Sequence, residues 1–345
     1  MVNSPIASES ISNFYACRLP GQKEILTGAS SRILDYKENS DSHGWIFASF
    51  SNPGDLKIIP DDIRGAAIPD SLILSIAADF DSAENDRFQT VSRSRHIDYV
   101  SHIVRTLRSH GGDRKTVAAR TAVADLEVLP SVMFRRLCER YPDAFVFLFA
   151  AKGSGAWIGA SPELLLKRRG SHWNTMSLAG TRPSGSAGEW DTKNIIEQQI
   201  VTDYITDVLS RHGLSVTTEK RYVRQAGPIE HLCTPITADG YPTGGVAALL
   251  RDLSPTPALC GFPRDEAMAM IAAGEPAGRM LYGGFVGLLS PDADLDLYVN
   301  LRSALIGDRR IMLFAGGGIT ALSDPDAEWE ETQRKLSTLL PFTVK

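Results

Sequence analysis

The chain has 345 residues, 43% of them hydrophobic and 22% charged, with a formal net charge of −5. That composition suits a globular protein with a large core, and the acidic balance argues against a nucleic-acid-binding surface. Cys17, Cys138, Cys233 and Cys260 show neither metal-ligand spacing nor a disulfide framework, so reduced thiols in a cytoplasm are expected. No apolar run reaches membrane-spanning length, and the chain does not open on a basic region followed by an apolar core, so neither a membrane partner nor a secretory leader is expected.

Tyr15–Leu19 and Trp45–Phe50 read as strands between polar loops, and Leu72–Ala77 reads as a further strand. Ile97, Val100, Ile103, Val104 and Leu107 recur at helical spacing and predict a helix from Ser94 to His110. Lys115–Val123 reads as a strand and Pro130–Arg140 as a short helix. From Ala144 the pattern changes. Ala144–Ala150, Ala156–Gly159, Glu163–Arg168 and Trp173–Leu178, with turns at 153–155 and 169–170, predict an antiparallel meander. Asp191–Ser210 reads as an amphipathic helix, Ser215–Thr218 and Ile229–Cys233 as strands, and Gly244–Leu253 and Pro263–Ala273 as helices. A second meander is predicted through Leu281–Leu289, Leu295–Leu305 and Arg310–Phe314. Strands and helices do not alternate strictly, so an α+β fold is expected: one large domain, two facing and mainly antiparallel sheets, helices outside.

The stretch Leu313–Leu336 is the richest in chemistry. It reads as an apolar strand, a turn at Gly316-Gly-Gly318, and a helix with Asp324 as N-cap and Pro325 at its first position. The glycines would let bare backbone amides approach a bound group. Glu328 and Glu331 share a helix face that Lys335 continues four residues on. Such a wall suits an anionic ligand with a hard cation, although Glu331 and Lys335 alone also describe the ordinary ion pair of a solvated helix.

No Walker loop, strand-linked GxGxxG or HExxH is present. Lys115 opens an apolar strand, where an ammonium can lose its proton and act as a base; a lysine at a strand end also commonly snorkels to water. Glu163 precedes three leucines, and burial would raise its pKa toward that of a general acid. Ala179-Gly-Thr181 ends a strand with free amides suited to a carboxylate.

Gly159-Ala-Ser-Pro-Glu-Leu-Leu-Leu, Leu178-Ala-Gly-Thr, His231-Leu-Cys-Thr-Pro, Pro255-Thr-Pro-Ala-Leu-Cys-Gly-Phe-Pro, Tyr282-Gly-Gly-Phe-Val-Gly, Leu301-Arg-Ser-Ala and Phe314-Ala-Gly-Gly-Gly-Ile together resemble the chorismate-utilising enzymes, and among them the isochorismate synthases. The resemblance runs from about Ser94 to the C-terminus with the motifs in the family's order. It implies residues 86–345 as the chorismate-binding catalytic region and residues 1–85 as a variable N-terminal part of the same fold. It also implies the following roles: Lys115 activates water; Glu163 protonates the departing C4 hydroxyl; Glu197 and Glu331 bind Mg2+ with Glu328 in support. Gly180 and Thr181 would offer amides near the ring carboxylate, while Tyr282, Arg302, Gly318 and Lys335 grip the enolpyruvyl carboxylate. His231 is a pocket histidine, and Ala258 and Leu259 form a pocket wall. A monomer is implied as well.

The chain departs from the family pattern in places. The loop between Gly180 and Glu197 is short, Asn194 stands where an acid is usual, Gln198 replaces a histidine and Gly317 an alanine. Asn194 is expected to remove charge from beside the ion and so weaken Mg2+ binding. Lys115 favours water over ammonia as nucleophile, because anthranilate-type relatives lack a lysine there. Salicylate synthase, which adds pyruvate loss, is an alternative, although its members usually carry threonine where Ala258 stands. A non-catalytic chorismate-binding homologue is a third reading.

Overall fold

Residues 145–151, Phe-Val-Phe-Leu-Phe-Ala-Ala, alternate aromatic and aliphatic side chains, and all seven are buried. Side chains of a strand point alternately to its two faces, so this one must be covered on both. In the computed structural model, which describes residues 11–345 apart from 39, 112, 113, 227, 228 and 276, both faces are covered. Phe145, Phe147 and Phe149 join an aromatic core with Tyr15, Trp45, Phe47, Trp157 and Tyr298. Val146, Leu148 and Ala150 meet the apolar faces of helices through Ile73, Ile76, Met133, Phe134 and Leu137.

The elements in chain order are β1 (Asn13–Arg18), β2 (Leu26–Ser30), β3 (Leu34–Asp35), β4 (Gly44–Ala48), β5 (Lys57–Pro60), β6 (Ile63–Arg64), α1 (Asp70–Ala83), α2 (Arg93–His110), β7 (Lys115–Asp125), α3 (Pro130–Arg140), β8 (Phe145–Ala151), β9 (Gly155–Ser161), β10 (Leu164–Arg169), β11 (His172–Pro183), α4 (Thr192–Arg211), β12 (Ser215–Thr218), β13 (Tyr222–Ala226), β14 (Ile229–Asp239), α5 (Gly245–Leu253), β15 (Gly261–Phe262), α6 (Arg264–Gly274), β16 (Phe285–Leu289), β17 (Leu295–Val299), β18 (Ser303–Ile306), β19 (Arg310–Ile319) and α7 (Pro325–Leu336). They form two antiparallel sheets. The first runs β15-β7-β19-β18-β9-β8-β1-β2-β6; the second runs β12-β14-β11-β10-β17-β16-β4-β5-β3, with β13 also on β14. The aromatic core lies between them. α1 and α3 cover the outside of the first sheet; α4 and α5 cover the second through Val201, Ile205, Val208, Leu209, Leu249, Leu250 and Leu253. The expected α+β architecture of two facing sheets with outer helices is the one observed.

Neither meander builds a sheet by itself. β8 pairs with β9 in the first sheet and β10 with β11 in the second, so the chain crosses the gap at Pro162-Glu163. The second meander crosses back: β16 and β17 pair in the second sheet, β18 and β19 in the first, and the crossing is Asn300-Leu-Arg302. The two crossings are adjacent because β9 pairs with β18 and β10 with β17. They are laced together by the Val299 N–H donating to the Glu163 carbonyl at 3.1 Å and the Ala160 N–H to the Arg302 carbonyl at 3.0 Å.

Two further expectations change. Leu72–Ala77 lies inside α1, where Ile73, Ile76 and Ala77 bury one helical face; a short apolar run satisfies both periodicities. Gly316, Gly317 and Gly318 are strand residues of β19 in register with Ala119, Ala118 and Val117 of β7, not a turn. Among the described residues no helix is long and apolar enough to cross a membrane.

Candidate active site

One cavity opens between the sheets beside the two crossings. β7 and β19 supply one wall and β11 and β14 another, while Glu197 of α4 and Lys335 of α7 reach in. The glycines of β19 make this possible. The Val117 N–H donates to the Cys260 carbonyl and the Ala119 N–H to Glu275 Oε1, both at 2.8 Å and both away from β19. In an antiparallel ladder their partners, Gly318 and Gly316, then turn their own backbone groups away from β7 toward the cavity. The Gly316 carbonyl accepts from Lys335 Nζ at 2.6 Å. A Cβ on Gly318 would stand 2.1 Å from Glu197 Oε1 and 2.5 Å from Lys115 Cε, and one on Gly317 would stand 2.7 Å from Glu328 Oε2. Bare backbone is what lets these groups gather.

Against that glycine wall three carboxylates meet three lysines. Lys115, fully buried, lies 2.9 Å from Glu197 Oε1, an ion pair outside hydrogen-bonding angles. Lys193 Nζ stands 3.1 Å from Glu197 Oε2 and 3.1 Å from Glu328 Oε1. Lys335 Nζ pairs with Glu331 Oε1 at 2.5 Å. Capping fixes both helices: Asp191 accepts the Asn194 N–H at 2.7 Å at the start of α4, and Asp324 accepts the Ala327 N–H at 2.9 Å at the start of α7. Burial pushes the Glu197 carboxyl up, but Lys115 and Lys193 outweigh it and hold the group down at about 2. Burial lowers the Lys115 pKa, with Glu197 partly opposing. Glu328 is raised to about 7 by burial against the pull of Lys193. In Glu331 burial is outweighed by Lys335 and Lys193, which hold it low. For Lys193 burial is overcome by the three carboxylates, so it remains an ammonium.

The opposite side carries Glu163, 3% exposed. Burial pushes its carboxyl up to about 8, only partly offset by Lys115, Arg224, Lys335 and Arg302. Arg302 sits on the second crossing at φ 49° and donates to Thr338 Oγ1 at 2.9 Å and to His231 Nε2 at 3.4 Å. His231 Nδ1 donates to the Gly180 carbonyl at 2.9 Å and lies 3.2 Å from Thr181 Oγ1. Burial and then Arg302 lower its pKa to about 3. His231 is therefore a neutral ring that orients Arg302.

Glu163, Gly180, Thr181, Glu197, His231, Ala258, Leu259, Tyr282, Arg302, Gly318 and Lys335 line this cavity; Lys115, Glu328 and Glu331 stand against its glycine wall. Three details differ from expectation. The Thr181 amide is not free, since it donates to Asn194 Oδ1 at 2.9 Å. Asn194 Nδ2 donates to both Asp191 oxygens at 2.9 Å, so the side chain serves the first turn of α4 rather than a cation. Gln198, fully buried, spans Ser177 Oγ at 2.8 Å and Thr234 Oγ1 at 2.8 Å and accepts from Arg221 at 3.2 Å, which binds α4 to β11 and β14. Lys193 escaped notice in the sequence; its (i, i+4) spacing to Glu197 was the available signal.

Residues 73–343 match the family described as chorismate binding enzyme. Isochorismate synthase EntC of Escherichia coli is 32% identical over 228 residues, 63% of this chain and 58% of that protein. Anthranilate synthase component 1 of Streptomyces coelicolor is 33% identical over 242 residues, 65% of this chain and 46% of that protein. The chain thus aligns with about half the length of these relatives. The structure of MenF, the menaquinone-specific isochorismate synthase of Escherichia coli, matches with a TM-score of 0.76 at 21% identity over 96% of this chain and 88% of that one, a likeness of fold. By the family match across most of its length, the chain belongs to the chorismate binding enzymes.

Proposed function

We propose that the protein is an isochorismate synthase, moving the hydroxyl of chorismate from C4 to C2. The observation that carries this reading is Glu163 on the cavity lining, kept protonated near neutrality by burial, with Lys115, made less basic by burial, standing against the Gly318 backbone of the same cavity. Lys115 takes a proton from water as its oxygen bonds to C2. The two ring double bonds shift, the C4–O bond breaks, and Glu163 gives its proton to the departing oxygen. One proton gained at Lys115 and one lost at Glu163 balance, and exchange with solvent resets both.

The remaining residues hold a dianion. Arg302, Tyr282, Lys335 and the Gly318 backbone grip the enolpyruvyl carboxylate, the arginine as a preformed fork. Gly180 lies by the ring carboxylate, and Thr181 contributes its hydroxyl there, its amide being engaged. Mg2+ fits the carboxylate cluster. Glu328 Oε2 is buried without a hydrogen-bond partner, and Glu197, Glu328 and Glu331 converge on Gly317 and Gly318. Mg2+ takes one or two carboxylates and keeps water and substrate oxygens; among the described residues no three His, Cys, Asp or Glu side chains close on one metal position. Glu197 and Glu331 would hold it with Glu328 in support, and it would neutralise the ring carboxylate.

Incubation with chorismate and Mg2+, with chromatography of the products, tests the reading. Isochorismate with little pyruvate is expected. Abundant salicylate and pyruvate would make the protein a salicylate synthase, ammonia-dependent anthranilate an anthranilate synthase, and binding without turnover a non-catalytic chorismate-binding protein.

A further inference from the structure

Lys193 takes no part in the chemistry above, yet its ammonium sits in the middle of the carboxylate cluster. It bridges Glu197 of α4 and Glu328 of α7 at 3.1 Å each, with its side chain 16% exposed. The carboxylate oxygens around it already have lysine partners: Lys193 holds Glu197 and Glu328, and Lys335 holds Glu331. A divalent cation that took Glu197 would be crowded against the Lys193 ammonium in a buried space, a heavy cost unless that ammonium departs.

Of the three lysines, Lys193 is the one built to leave. Lys115 is wholly buried behind Gly318. Lys335 is held by the Gly316 carbonyl at 2.6 Å as well as by Glu331. Lys193 is the second residue of α4, next to a mostly exposed segment over 184–191, so its stem can swing to water without moving a strand.

We propose that Lys193 is a built-in stand-in for the divalent cation: its ammonium draws Glu197 and Glu328 together in the metal-free protein, and Mg2+ binds as that ammonium swings out to solvent. The inference rests on Glu197 and Glu331 being the metal ligands. Lys193 thus lets the site stay assembled without metal, and it weakens Mg2+ binding by competing for Glu197 and for the supporting Glu328.

The test is calorimetric titration of EDTA-treated protein with Mg2+ alone, together with thermal melting. Lys193→Met keeps the stem and removes the charge. The metal-free variant should melt below the unmodified protein, gain more melting temperature from Mg2+, and bind Mg2+ about tenfold more tightly or better. Equal, weaker or absent Mg2+ binding in the folded variant overturns the proposal. Should Lys193→Met not fold, acylation of the unmodified protein read by mass spectrometry decides: labelling of Lys193 should rise on adding Mg2+, and unchanged labelling overturns it. Glu197→Gln and Glu331→Gln separate the two levels of argument. If both keep Mg2+ affinity, the ligand assignment fails and the stand-in with it. If they lose affinity while Lys193→Met leaves it unchanged, the ligands stand and only the stand-in fails.

Discussion

Glu163 and Glu197 face one cavity and are 3% and 6% exposed, yet the pKa of the first is raised and that of the second lowered. Among the described residues no ion pair reaches Glu163, and burial raises its pKa to about 8. Glu197 has the amino groups of Lys115 and Lys193 within 3.1 Å, and their pull holds it at about 2. Burial is shared, so the partner makes the difference. Near neutral pH the first carboxyl can give a proton, and the second can only hold positive charge. The fold assigns those partners: Glu163 rides a crossing between sheets, whereas Glu197 has Lys193 one helical turn away and the strand of Lys115 beside it.

Removing either proton carrier breaks the contrast most severely. Glu163→Gln and Lys115→Ala should each lower kcat by about 10²–10⁴-fold while chorismate binding changes little, as read by steady-state kinetics and equilibrium binding. Retained turnover in Glu163→Gln would move the acid elsewhere.

The pH dependence should sharpen the contrast. Glu163 has a raised folded pKa, so the stability it contributes is complete below the ordinary carboxyl value and is lost as pH rises through about 8. For Glu197 the sign reverses: its contribution is present above the ordinary value and is lost as pH falls through about 2. In metal-free protein, Glu163→Gln should therefore lessen the fall in melting temperature between pH 6 and pH 9. Glu197→Gln should cost most near neutrality and least in strong acid. Turnover of the unmodified enzyme should decline above about pH 8. Parallel melting profiles for the two variants would remove the basis of the comparison.

Leu259→Ala leaves both glutamates in place and hollows the wall they share. Leu259 is 5% exposed and lines the cavity, so the enolpyruvyl arm should gain room to fold over the ring, and the salicylate and pyruvate share should rise several-fold from a low base. An unchanged product ratio would clear this wall of any part in product choice. The smallest effect belongs to Asn194→Asp. It sets a second carboxylate against Asp191 in place of an amide donor, and should cost roughly 0.5–1.5 kcal/mol in denaturant unfolding while leaving the Mg2+ titration unmoved. A tighter Mg2+ response would put that position within the field of Glu197 after all.

Much of the fold was legible, because long periodic segments declare themselves: α2, α3, α4 and α7 lie where the apolar spacing and caps of Ser94–His110, Pro130–Arg140, Asp191–Ser210 and Asp324-Pro325 put them. The sheet crossings were not. A run of alternating strands looks the same whether successive hairpins extend one sheet or step to its neighbour. β13 was missed because Tyr222 and Val223 are exposed, at 46% and 44%, and leave no one-sided pattern. The triple glycine was misread for a related reason: glycine signals a turn and a close approach equally well, and the second applies here. The residues of the cavity were found through shared motifs, whereas the reach of Lys193 to Glu328 and the engaged Thr181 amide depend on contacts between separate elements that one sequence does not display.

The laced crossings at Pro162-Glu163 and Asn300–Arg302 have a mechanical consequence. Sheets joined only by packing can slide over each other; here two short peptide links rivet them together at one rim of the cavity. Glu163 and Arg302 are mounted on those rivets, so any shear of the sandwich carries them as a pair and preserves their spacing. The other rim is formed by the starts of α4 and α7, joined through the Lys193 bridge between Glu197 and Glu328 rather than by covalent chain.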